Sequence, residues 1–453
     1  VDSLFLQILT QILFFNSFEY IAFLFVVFLF TLLTNKKKTL QIRNIGLLVA
    51  SYYFYAQLNI CFIFLLIYTT LVTYACGKWI CQCQQNNKSA KLATAVAIVL
   101  LLTILVFFKY AYILDASILL PVGLSFFTFQ ALSYPIDLYR RKITEEKSIL
   151  NVALYIAFFP TLLSGPIERA RNLFPQLKQP TNINWGTVME GGKLFVWGLF
   201  KKVVIADRLA EYVNWAYSSP DTKTGSTLAI AAIFYSFQIY CDFSGYADMA
   251  IGSGKILGFQ IMQNFKFPYF ASTIKEFWRR WHISLTSWFT EYVYFSMGGN
   301  RVNQLRWILN ISTVFLLSGI WHGATCGFIV WGALHAVLYL IEHFCKLKHT
   351  NLLNHLLVFV CVSLAWIFFR IENSSTAWQI ITQIFSDIYS PIGLGSSSFT
   401  TLLTAVLLIL FVVREYLIYK EKIPQKYAIE YILLLLGIGL FGVSTDQFVY
   451  FQF

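Results

Sequence analysis

The chain has 453 residues, 58% hydrophobic and 12% charged, with a formal net charge of +12. Soluble domains carry roughly twice that charge fraction. With a mean hydropathy of +0.64, the composition excludes a water-soluble globule and specifies an all-α, polytopic integral membrane protein. The positive charge does not call for nucleic acid as a partner, because the bias of basic residues toward cytoplasmic loops accounts for it.

Along the chain, Ile21–Leu33, Leu92–Phe108, Leu402–Val413 and Tyr431–Val443 are apolar runs. A spanning helix needs about 20 mostly apolar residues. Some runs reach that length with their flanks and others do not, so about 10–12 transmembrane or re-entrant helices are expected. Basic residues cluster between the runs: Lys36, Lys37, Lys38 and Arg43; Lys78, Lys88 and Lys91; Arg140, Arg141, Lys142 and Lys147. Placing all three clusters in the cytoplasm requires outside turns near Gln57–Asn59 and Asp115, and an outside N-terminus. No basic stretch precedes the first apolar run, so no cleaved signal is expected. The eight cysteines are scattered, mostly within apolar runs, and Cys81 and Cys83 have no second pair at zinc spacing. They read as small buried hydrophobes.

No soluble domain interrupts the chain. Its longest polar stretches, such as Gln82–Lys91 and Lys178–Trp185, are short, and Ser386–Ser398 is a turn-rich loop. Residues 1–453 therefore form a single membrane domain, with scaffold helices in 1–118, a core in 119–346, and C-terminal helices with an aromatic tail in 347–453. The core is distinguished by Pro121, Pro135, Pro160, Pro166 and Pro175 within apolar stretches. Proline in a membrane helix frees backbone groups that protein or a cavity must satisfy. Broken and re-entrant helices around a site are expected there.

All six histidines lie at or after position 282. His322 follows the apolar stretch Trp307–Leu317 within Ser318-Gly319-Ile320-Trp321-His322-Gly323. Gly319, Gly323 and Gly327 recur every four residues, which on one helix makes a smooth stripe that a ligand or helix can approach. An ionisable group at membrane depth is a functional candidate, and imidazole suits a general base at neutral pH. A core histidine bonded to a backbone carbonyl satisfies the same pattern. His282 lies in Phe277-Trp278-Arg279-Arg280-Trp281-His282. Read as one helix, Trp278, Trp281, Leu285 and Trp288 share a stripe, and Lys275, Arg279 and His282 another. Such a helix lies at the membrane interface. There its basic side chains either bind lipid headgroups or an anionic ligand such as a nucleotide phosphate, or simply anchor it. His335, His343, His349 and His355 read as helix-end or loop residues.

Other signals fail. Gly252-Ser253-Gly254-Lys255 lacks the flanking residues of a phosphate loop, since Met249 and Ile256 stand where glycine and Ser/Thr are required. No Gly-x-Ser-x-Gly elbow occurs, and no histidine pair shares a helix face with a carboxylate in a metal motif. The tail Phe448-Val449-Tyr450-Phe451-Gln452-Phe453 carries no charged side chain. Solvated tails are polar, so this one is expected to be buried in protein or membrane.

Several segments in order resemble the membrane-bound O-acyltransferase superfamily, in its branch that acetylates bacterial polysaccharides such as alginate and peptidoglycan. They are Leu120-Pro121-Val122-Gly123-Leu124-Ser125-Phe126-Phe127-Thr128-Phe129-Gln130, Tyr134-Pro135-Ile136-Asp137, Phe158-Phe159-Pro160-Thr161-Leu162-Leu163-Ser164-Gly165-Pro166-Ile167, and Lys201-Lys202-Val203-Val204-Ile205-Ala206-Asp207. Asp242-Phe243-Ser244-Gly245-Tyr246-Ala247-Asp248, Asn264-Phe265-Lys266-Phe267-Pro268-Tyr269, the two histidine segments and Gly298-Gly299-Asn300-Arg301 complete the set. Thr161, Ser164 and Pro135 depart from the commoner residues of the family. The resemblance implies a fold with a central tunnel in a multi-pass protein of the bacterial inner membrane. It implies His322 as the catalytic histidine, His282 as the second histidine, and cytoplasmic acetyl-CoA as donor substrate, with no permanently bound cofactor and no metal. Lys275, Trp278, Arg279 and Arg280 are the candidate donor-binding residues. An extracytoplasmic partner resembling an SGNH hydrolase and a polysaccharide acceptor follow from the same resemblance. Tyr450 matches the tyrosine of the branch's aromatic C-terminal hexapeptide, an acyl relay; interfacial anchoring of the last helix by the aromatic end is the alternative. A family member acting on teichoic acid, a lipid or a protein remains open, and a transporter fits the residues less well.

Overall fold

The computed structural model describes residues 15–111, 120–323, 325–345, 352–422 and 428–443. Among these the regular elements are all helices. In chain order they are α1 (Phe18–Thr34), α2 (Leu40–Ala56), α3 (Ile63–Gln85), α4 (Lys91–Ala111), α5 (Leu124–Tyr139), α6 (Ile149–Ala157), α7 (Ala170–Leu177), α8 (Trp185–Phe200), α9 (Asp207–Ser218) and α10 (Gly225–Ile256). There follow α11 (Ile274–Arg280), α12 (Ile283–Trp288), α13 (Gln304–His322), α14 (Cys326–Cys345), α15 (Leu352–Arg370), α16 (Ser374–Ser386), α17 (Ser398–Tyr419) and α18 (Ala428–Phe441). Among the described residues six helices are long and apolar enough to cross a membrane, and a seventh span results if the α1–α2 pair, bent by 116°, counts as one. This is an all-α, multi-pass membrane protein. The break between α2 and α3 falls at Gln57–Asn59, where a turn was expected; the other expected turn, near Asp115, lies outside the described residues.

The chain forms two compact units, residues 1–195 with 246–263, and residues 196–245 with 264–453. In the first, the proline-rich stretch is broken into short helices, with Pro160 in the single turn Phe159–Leu162, but not at every proline: Pro135 and Pro175 are taken up inside α5 and α7. Gln130 repairs part of the broken backbone. Its amide nitrogen donates to the Tyr155 carbonyl, and its oxygen accepts the Glu168 N–H at 3.1 Å. Arg43 departs from its expected place in a cytoplasmic basic cluster. It is fully buried and donates to Asn35, to Asn44 and to the carbonyls of Gln176, Leu177 and Gln179 at 3.0–3.1 Å. Five N–H donors in a rigid fork let one guanidinium close that many acceptors at once.

The second unit is organised by buried polar contacts. Residues Lys201–Ala206 form a π turn that carries two lysines inward. Lys201 donates to Ser244 Oγ at 2.9 Å. Lys202 lies between Asp207 at 2.8 Å and Asp242 at 2.7 Å, with side-chain exposure of 1–2% throughout. Burial opposes the charge on Lys202, but Asp242 and Asp207 outweigh it and hold the ammonium above its ordinary range. Tyr240 O–H donates to Glu415 Oε2 at 2.8 Å. Helices α13 and α14 pack backbone to backbone: a Cβ on Gly319 would lie 2.4 Å from the Phe328 oxygen, and one on Gly332 2.5 Å from the Phe315 oxygen. Small residues permit such close approach where lipid supplies no hydrophobic drive.

Candidate active site

Both candidate histidines lie in the second unit. His322 is the last residue of α13, and Gly323 follows in an extended conformation that ends the helix. The expected stripe of Gly319, Gly323 and Gly327 on one helix is therefore corrected: the three fall on α13, in the break, and on α14. A Cβ on Gly327 would lie 2.5 Å from the Phe368 oxygen, so these glycines serve the close packing of the turn. The His322 ring, on a residue 3% exposed, sits among aromatic rings: Trp321 at 4.7 Å, Phe369 at 4.9 Å and Trp331 at 5.2 Å between centroids.

The segment 277–288 is not one helix, and its expected two-striped interfacial face is corrected as well. Helix α11 ends at Arg280, Trp281 is extended, and His282 adopts φ 43° and ψ 54° before α12 begins. The cause is a clasp from Asn264. The Asn264 carbonyl accepts the Ile283 N–H at 2.8 Å, and Lys266 N–H donates to the Arg280 carbonyl at 2.9 Å. The Asn264 side-chain oxygen accepts from Ser284 N–H at 3.2 Å and lies 2.9 Å from Ser284 Oγ and 3.0 Å from His282 Nδ1. The kink turns His282 inward, to 1% exposure, instead of leaving it on an exposed basic face. Its ring meets the Phe243 ring edge-on at 4.6 Å and the Trp321 ring at 6.3 Å. Trp321, next to His322, thus contacts both imidazoles. Burial pushes His282 down to about 3, well below the ordinary imidazole range, so the ring is neutral at physiological pH.

Lys275, Trp278 and Arg279 line a cavity of about 610 Å³. It is also bounded by Phe315, by Ser318, four residues before His322 on α13, and by His343. Lys275 and Arg279 are exposed and Trp278 is buried. Arg280 does not line this cavity. It pairs with Glu276 at 2.5 Å and its guanidinium lies 5.2 Å from the Tyr419 ring centroid. The cavity lining combines the exposed Lys275 and Arg279 and the carboxylate of Glu342 with apolar residues, among them Ile311, Val314 and Phe315 of the helix carrying His322, a mixture that suits a ligand with an anionic end and a small reacting end.

His335 corrects the expectation of a helix-end or loop residue. It is fully buried in mid-α14 and its Nδ1 accepts the Trp278 indole N–H at 3.3 Å. His343 and His355 do lie in end turns of α14 and α15. His349 and Tyr450 lie outside the described residues. Among the described residues no group of three or more His, Cys, Asp or Glu side chains is placed to hold a metal. The role of Asn264 escaped sequence reasoning: the residue heads a recognised segment, but no local spacing announces that it grips residues 18 and 20 positions later.

The model of the membrane-bound O-acyltransferase family matches residues 12–356. The chain belongs to that family. It is an acyltransferase. The family match contains both histidines, the Asn264 clasp and the cationic cavity. Among its relatives, a probable alginate O-acetylase of Azotobacter vinelandii is 37% identical over 393 residues, covering 82% of this chain and 78% of the relative. A peptidoglycan O-acetyltransferase of Helicobacter pylori is 34% identical, with 82% and 79% covered. A teichoic acid D-alanyltransferase of Bacillus subtilis is 30% identical over a shorter stretch, 48% of this chain and 57% of the relative.

Proposed function

We propose that this acyltransferase moves an acetyl group from cytoplasmic acetyl-CoA to hydroxyls of an extracytoplasmic polysaccharide, of the alginate or peptidoglycan kind, in the bacterial inner membrane. The observation that carries the reading is one cavity whose lining includes both the basic Lys275 and Arg279 and, beside the carboxylate of Glu342, Ser318, one turn before His322. The two basic residues hold the phosphates of the donor, Trp278 packs against it, and its thioester is directed toward His322. Arg280, engaged with Glu276, supports the helix instead of contacting the donor.

His322 draws the proton from the acceptor hydroxyl. The hydroxyl oxygen bonds to the thioester carbonyl carbon, the carbon–sulfur bond breaks, and the coenzyme leaves as its thiol after taking up the proton. A thioester is already activated, so positioning and proton transfer supply most of what the protein must add. In the first transfer the acceptor is the phenol of Tyr450. The resulting phenyl ester passes its acetyl group to a serine hydroxyl of an extracytoplasmic partner resembling an SGNH hydrolase, which regenerates the phenol. The partner then acetylates the polymer.

Mass spectrometry of wall and exported polysaccharides from cells with and without the chain tests the reading: ester-linked acetate is expected to disappear from one polymer. In the same assay Tyr450→Phe is expected to remove polymer acetylation and leave donor binding intact; unchanged acetylation would reduce Tyr450 to an anchor of the last helix. Loss of D-alanine from teichoic acid in place of acetate would move the acceptor to that polymer.

Charge reversal separates the two arginines. Arg279→Glu is expected to weaken acetyl-CoA binding about tenfold or more, the order of one lost charge-assisted hydrogen bond, with little change in melting temperature. Arg280→Glu places a second carboxylate against Glu276 and is expected to lower the melting temperature with a smaller effect on affinity. Isothermal titration and thermal melts of both variants decide it, and equal affinities for wild type and Arg279→Glu would remove the donor role.

A further inference from the structure

We propose that Asn264 is a positioning residue that holds the ring proton of His282 on Nδ1 and so leaves Nε2 as its basic nitrogen. The proposal rests on the acyltransferase reading for its catalytic consequence, and on hydrogen-bond geometry for everything else.

The orientation of the Asn264 amide follows from one contact. Ser284 N–H, a group that can only donate, points at the Asn264 side-chain atom 3.2 Å away. That atom is therefore the oxygen and not the nitrogen, an assignment otherwise ambiguous for an asparagine. The same oxygen faces His282 Nδ1 at 3.0 Å. An amide oxygen only accepts, so Nδ1 must carry the hydrogen, and a neutral imidazole has just one. The lone pair then lies on Nε2. Turning the ring over would bring a carbon to Asn264 and forfeit the bond.

The ring and its backbone are held in that setting. Phe243 meets the imidazole edge-on at 80°, and Phe265 lies against it at 26° with centroids 6.4 Å apart. The left-handed backbone of His282 is one that non-glycine residues adopt uncommonly, and it persists where the surroundings over-determine it. Here the backbone and side-chain bonds of Asn264 to residues 282–284 do so. The amide is neutral, so it selects the tautomer without drawing the imidazole toward the charged form as a carboxylate in its place would. Orienting partners of this kind fix which histidine nitrogen is available.

The test is a ¹⁵N spectrum of the full-length protein labelled at histidine, with the His282 signals assigned by their loss in His282→Gln. In the wild type, Nδ1 is expected to appear as the N–H nitrogen and Nε2 as the bare one. A wild-type spectrum with the proton on Nε2 overturns the proposal regardless of any variant. Asn264→Leu is expected to move the proton toward Nε2 and lower kcat about tenfold, the rate equivalent of about one lost positioning hydrogen bond, with the donor KM within about twofold. Asn264→Asp, which keeps an oxygen facing Nδ1, is expected to restore the Nδ1–H signal and recover kcat relative to Asn264→Leu. Wild-type kcat in Asn264→Leu, or no recovery in a folded Asn264→Asp, contradicts the positioning role. If Asn264→Leu does not fold, the wild-type and Asn264→Asp spectra still decide. A protein showing the expected tautomer but transferring no acyl group would count against the function and not against the tautomer assignment.

Discussion

Replacing His322 with alanine is expected to abolish acetyl transfer in reconstituted vesicles while the protein still inserts, folds and binds its donor. His322 ends α13 inside an aromatic enclosure of Trp321, Trp331 and Phe369, four residues after the Ser318 that lines the cavity proposed for the donor. A positioned base contributes about 10²–10⁴-fold to such a reaction, so the residual rate should fall by at least that range. Alanine also opens a void among packed rings. His322→Gln, which keeps most of the side-chain volume without a titratable nitrogen, isolates the chemical role, and both variants should fail in transfer. His282→Ala should impair transfer less completely, because the role proposed for that ring is a secondary one, exercised from across the same tryptophan. Near wild-type acetylation by either His322 variant would sink the assignment.

The second large effect falls on stability. Lys202→Met removes the ammonium lying 2.7 Å from Asp242 and 2.8 Å from Asp207. Breaking a buried ion pair by deleting one partner costs about 3–5 kcal/mol, because the remaining charges stay in a medium that solvates them poorly. Methionine preserves length and apolar volume, so the loss reports charge more than packing. Thermal melting in detergent is the measurement. The double variant Lys202→Met/Asp242→Asn should recover part of the lost melting temperature, since it leaves one carboxylate in place of two. A single variant that melts with the wild type would show that the lysine between the two aspartates contributes nothing net.

The helical, membrane-spanning character of the chain was legible in the sequence because apolar runs of spanning length have few other uses. So was the break around Pro160, which sits in a single helical turn, although Pro135 and Pro175 are taken up inside helices. The histidines were legible as individuals: an imidazole within Trp321-His322-Gly323 is conspicuous against apolar neighbours. Their surroundings were not. Helical periodicity carried through Trp281 and His282, and nothing within a turn of either residue breaks a helix; the break is imposed by Asn264, from another segment. Continuity also failed at Gly323, where four-residue glycine spacing looked like one surface and was in fact divided by a turn. Arg43 and His335 illustrate the same limit. Each reads as a peripheral polar residue in sequence, and each becomes an internal one because partners from elsewhere, three backbone carbonyls for Arg43 and an indole N–H for His335, meet its hydrogen-bonding needs.

The separations along the chain that these contacts bridge bear on how the protein is made. The Asn264 clasp closes over 18 to 20 residues, the Lys202–Asp242 pair over 40, and the Tyr240–Glu415 bond over 175. Contacts between near neighbours require little loop closure, and a nascent chain folds from its N-terminal side as it leaves the ribosome. The turn that presents His282 can close once residue 284 has emerged, before the helix bearing His322 has left the ribosome. A chain halted with residue 284 just outside the ribosome and the next helix still inside it would hold one half of the candidate centre without the other, so such ribosome-bound intermediates should already protect the His282 turn from proteolysis and transfer no acyl group.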